Sequence, residues 1–109
     1  MSNLDSTERL ETIRQRFMSD PVELQLGGLA ANLARLSSFI EDPANAKVVS
    51  SLLLESKFMI EWIASDVLPE IQERLVELQL QLALWSRDYQ NSEEISKQAE
   101  CWSERVLEL

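Results

Sequence analysis

The chain of 109 residues contains no histidine and a single cysteine, Cys101. Without imidazole there is no Ser-His-Asp triad, no Cys-His pair, no His-bearing zinc site and no glutamate-x-x-histidine di-iron motif. One thiol builds neither a disulfide, a thiolate metal site nor a Cys-x-x-Cys centre, and it agrees with a reducing compartment. Lys97 and Arg105 stand one turn from Cys101, but Glu100 is adjacent to it and Glu104 one turn on, so nothing favours a thiolate nucleophile. Two glycines and three prolines are too few for turn-rich β structure. Gly27-Gly28 falls inside a helical pattern with no phosphate-loop lysine after it, which excludes a nucleotide loop. Uninterrupted apolar runs of the ~18 residues needed to cross a bilayer are absent. Met1-Ser2-Asn3-Leu4-Asp5 lacks the basic and apolar parts of a signal peptide, so a cytosolic protein is expected. These absences predict no catalytic, metal or cofactor site, no small-molecule substrate and no enzyme.

Positive charge is scarce too. Ten Lys and Arg against nineteen Asp and Glu give a net charge of −9, which repels phosphate backbones and anionic lipid. Nucleic-acid and membrane partners are therefore not expected. Residues 66–109 carry −6 of that charge, from ten acids and four bases.

What the chain has in quantity is apolar residues at helical spacing, 45% of the total and sufficient for one modest core. Asp20-Pro21-Val22-Glu23 reads as an N-cap acid, a proline at the first helical position and a capping-box glutamate. Glu41-Asp42-Pro43 repeats the cap-plus-proline signal, and Ser65-Asp66-Val67-Leu68-Pro69-Glu70 is a looser version. Asn91-Ser92-Glu93-Glu94 and Asp5-Ser6-Thr7-Glu8 place caps and acids at two further helix starts. Between these signals Leu10, Ile13 and Phe17 mark a short helix, and Val22, Leu26, Leu29, Leu33, Leu36 and Ile40 a long one. Val49, Leu52, Met59 and Ile63 follow, with Ser56 in one expected apolar position. Leu68, Ile71, Leu75, Leu78, Leu82, Trp85 and Tyr89 come next, and Ile95, Ala99, Trp102, Val106 and Leu109 close the chain. The spacing predicts an all-α, up-down antiparallel bundle of four long helices, about 21–41, 43–65, 67–89 and 92–108, plus a short N-terminal helix, about 5–19. All 109 residues form one domain in this reading.

Several helices carry a second face that one small bundle does not require. Gly27, Ala30, Ala31, Ala34, Ser37 and Ser38 line a small-residue arc that admits either a helix of the same bundle or another chain. Leu54, Phe58 and Trp62 run at i, i+4, i+8 beside the core stripe of the third long segment. Val76, Leu80 and Leu84 do the same opposite the stripe of the next. These six residues are the candidate interface for a homodimer or another protein, with Trp62 as the favoured anchor. Trp85 and Trp102 lie on core stripes. Glu73 with Glu77, and Glu100, Glu104 and Glu108, align one turn apart on faces away from the apolar stripes. Such lines are expected to be solvated; the last three form a candidate acidic docking face for a basic protein surface.

The segments Glu55-Ser56-Lys57-Phe58-Met59-Ile60-Glu61-Trp62 and Glu77-Leu78-Gln79-Leu80-Gln81-Leu82-Ala83-Leu84-Trp85 resemble stretches of small uncharacterised helical proteins from cyanobacterial genomes. The resemblance covers about the middle third of the chain. It implies an all-α, cytosolic protein and no particular activity. The expected role is a non-enzymatic interaction or self-association module, with an acidic decoy for a basic surface as the alternative.

Overall fold

A computed structural model describes residues 2–87 and 91–109, with side chains from Glu8 onward within those ranges. Five helices follow one another: α1 (Ser2–Ser19), α2 (Val22–Phe39), α3 (Ala46–Ala64), α4 (Pro69–Arg87) and α5 (Ser92–Leu107), with a 3-10 turn at Pro43–Asn45 ahead of α3. No strand occurs among the described residues. The all-α bundle expected from the spacing is the observed fold.

The prolines act as the chain pattern requires, with one difference. Asp42 Oδ1 accepts from the Ala44 amide at 2.9 Å, so this cap starts the 3-10 turn that leads into α3. Pro69 opens α4, where its missing N–H costs nothing. At Asp20-Pro21 no side-chain cap forms. The Pro21 carbonyl takes the first amides of α2 instead, from Leu24 and Gln25. The buried Gln25 amide donates to the Asp20 carbonyl at 2.9 Å and reaches the Met18 carbonyl at 3.5 Å. The corner between α1 and α2 is thus held by a glutamine that bonds backward, and no capping box is needed. α1 also begins earlier than Asp5-Ser6-Thr7 indicated, at Ser2.

α2 is the central helix, packed on α5 along one side and on α3 along the other, while α3 in turn packs on α4. Leu29, Leu33 and Leu36 of α2 are fully buried, as are Ile63 of α3, Leu75 and Leu78 of α4 and Ala99 of α5. The buried arc of α3 is wider than its 3-4 stripe indicated. Leu53 and Ile60 join the core while Met59 is only half-buried, because α3 lies between two neighbours. Leu68 is exposed because it precedes the first turn of α4, and Trp102 is half-buried with the Arg105 guanidinium 4.4 Å from its ring centre. Tyr89, assigned to the same stripe as Leu82 and Trp85, lies outside the described residues.

Helix spacing follows side-chain size. α2 and α5 approach closely where small residues meet: Ala30 and Ala99 are buried, and Ser37 and Ser96 exchange hydrogen bonds. Each serine hydroxyl donates to the other residue's carbonyl, at 2.8 and 2.7 Å. One part of the small-residue arc of α2 therefore serves an internal neighbour, while Ala31, Ala34 and Ser38 stay exposed. Between α4 and α5 the gap is filled by Trp85, 2% exposed, whose indole Nε1 donates to Gln98 Oε1 at 2.7 Å. Gln81 Nε2 donates to the same oxygen at 3.2 Å. The resulting body is flat, 41 × 35 × 19 Å, so α4 is covered on one side only.

Candidate interaction surface

The outer face of α4 is built from the same helix that buries Leu75, Leu78, Leu82 and Trp85 inward. Opposite them stand Val76, 54% exposed, Leu80, 64%, and Leu84, 58%. Leucines that open to water are ordinary when single, but a contiguous row of them marks a contact surface. Leu54 on α3, 55% exposed, faces Leu82 and Ala83 of α4 across a groove. Between the two helices runs an open groove of about 720 Å³ lined by Leu53, Leu54, Leu82 and Ala83, with Ser50, Gln79 and Ser86. Its charged lining consists of Lys57 and Arg87, with no acid among them.

Phe58 and Trp62 continue along α3 from Leu54 toward α1. Both are half-buried. Trp62 stacks on Phe58, ring centres 5.9 Å apart, and meets Phe17 of α1 at 5.6 Å. The Phe17 ring also lies against Gly28 of α2, where a Cβ would sit 3.5 Å from Cε1. Phe17 is thus the pin that fastens α1, and the aromatic pair of α3 is its socket. Leu10 and Ile13 of α1 remain 37% and 45% exposed beside a smaller recess of about 250 Å³, which Leu54 also lines. The apolar surface is therefore continuous from α4 through Leu54 to α1. The two exposed residues of α1 were assigned to its own packing stripe, so the chain pattern alone did not mark them as surface.

The carboxylates are solvated. Glu73 and Glu77 are exposed, and Arg74 on the same helix holds Glu77 at 3.0 Å. Glu100, Glu104 and Glu108 form an exposed line on α5 and at its end, and Cys101 is exposed beside them. Among the described residues no group of three or more Cys, Asp or Glu is placed to hold a metal ion. None of the described helices is long and apolar enough to cross a membrane. No protein-family model matches this chain, and neither a curated protein nor a solved structure matches it.

Proposed function

We propose that this chain is a non-enzymatic self-association module, and that copies meet through the outer face of α4 with Leu54 of α3. The carrying observation is the line of Val76, Leu80 and Leu84, each more than half exposed on a helix whose opposite face is fully sequestered. A cytosolic setting fits the single cysteine. Solution mass by light scattering tests the reading. A dimer that persists at high salt is expected, because apolar contacts are not screened. Leu80→Glu should yield monomers with unchanged helicity, since Leu80 supports no internal contact of the core. A wild-type monomer at high protein concentration refutes the proposal.

The alternative reading, docking on a basic protein surface, rests on the exposed line of Glu100, Glu104 and Glu108. It predicts binding that fades steeply as salt rises, and loss of that binding on charge reversal of the three glutamates.

A further inference from the structure

The exposed face of α4 is self-complementary in charge. Four residues either side of Leu80 stand Val76 and Leu84, and seven residues either side stand Glu73 and Arg87. At about 100° and about 1.5 Å per residue, these five positions share roughly 80° of arc, and the two charges lie about 10 Å above and below Leu80. Glu73 and Arg87 are both exposed, and among the described residues neither makes an ion pair within its own chain. A row whose apolar middle is symmetric and whose ends carry opposite charges has one favourable way to meet itself. Parallel packing would set Glu73 against Glu73 and Arg87 against Arg87. Antiparallel packing sets each acid against a base.

We propose that a second copy of this chain docks with its α4 antiparallel to the first, the two-fold axis passing at Leu80. Glu73 then faces Arg87 of the partner subunit, and the reverse pair forms at the other end. This register rests on the self-association reading above and adds its geometry. The groove supports it independently. Ala83 and Arg87 of α4 line the side that α3 flanks, so the same rotation brings the two α3 helices to one side of the α4 pair. Val76 of the partner subunit, level with Leu84, enters the groove beside Leu54 and Ala83. That gives Leu54 an apolar partner. Lys57 and Arg87, in a groove without acids on a chain of net charge −9, make this the place where a second acidic copy is attracted.

Charge reversal tests the register on the full chain. Glu73→Arg and Arg87→Glu should each weaken the dimer about tenfold at low salt, because each swap turns two attractive pairs into two repulsive ones. The combined variant should return to within about threefold of wild type. In a Cys101→Ser background, Leu80→Cys should form a disulfide-linked dimer on oxidation, whereas Val76→Cys should not, since the two copies of that residue lie about 12 Å apart along the axis. If Leu80→Glu disperses the dimer but the double reversal fails to restore it and Leu80→Cys fails to cross-link, self-association stands and this register is wrong. A monomeric wild type overturns both.

Discussion

Replacing Gln98 by leucine isolates one buried donor, the indole N–H of Trp85. In the native protein that N–H meets Gln98 Oε1 at 2.7 Å, with Trp85 only 2% exposed. Leucine keeps most of the glutamine volume and its helix propensity, so packing and backbone terms change little. Two donors lose their acceptor. Gln81 is half-buried and its amide turns to water, so the loss concentrates on the indole. An unsatisfied buried donor costs about 1–3 kcal/mol. For a domain near this size that corresponds to a fall in Tm of about 5–15 °C. Denaturant unfolding followed by circular dichroism measures it, with m unchanged if the native body is intact. A cycle with Trp85→Phe, which deletes the donor, should show a coupling of about 1 kcal/mol or more. A Gln98→Leu protein within about 0.5 kcal/mol of wild type would mean that the indole bond does not secure α4 to α5, and the reasoning fails.

Gly27 lies inside α2 with nothing within 4 Å of the position a Cβ would take, so Gly27→Ala should stabilise by about 1 kcal/mol in the same assay. Ser56, 1% exposed, has a buried hydroxyl without a partner among the described residues, and Ser56→Ala should raise stability by about 1 kcal/mol; a loss would mean the hydroxyl is bonded in solution. Phe17→Ala removes the pin of α1 and should lower stability by about 1–2 kcal/mol. Amide exchange should then quicken in α1 while α2 to α5 stay protected; uniform quickening would make α1 integral to the core.

The helix pattern was legible because each long segment announces its start with proline or asparagine and repeats one apolar spacing throughout. Where the pattern misled, a contact outside the helix's own apolar stripe decided. Gln25 reaches back over the Asp20-Pro21 corner and supplies what a capping box would have supplied. Leu53 and Ile60 are buried because α3 has neighbours on two sides, which no single-helix stripe encodes. The two second lines looked alike as sequence, yet Phe17 meets Trp62, which stacks on Phe58, while Val76, Leu80 and Leu84 stay bare. One aromatic in α1, Phe17, was the hint of that difference. Glu73 and Arg87 lie seven residues either side of Leu80, a spacing that apolar periodicity does not register.

The serine exchange between α2 and α5 also sets the order in which the molecule can be made. Ser37 and Ser96 stand 59 positions apart along the chain, so α2 and α5 can meet only after α3 and α4 have been synthesised. Until α5 exists, the α5-facing side of α2 has nothing to cover it, because α3 packs on the opposite side. Closing that distance carries the chain entropy of a large loop, which slows collapse relative to bundles stitched from neighbour to neighbour. The nascent chain therefore stays sticky until α5 emerges, and a copy shortened before Ser96 should accumulate as aggregate instead of folding into a smaller bundle.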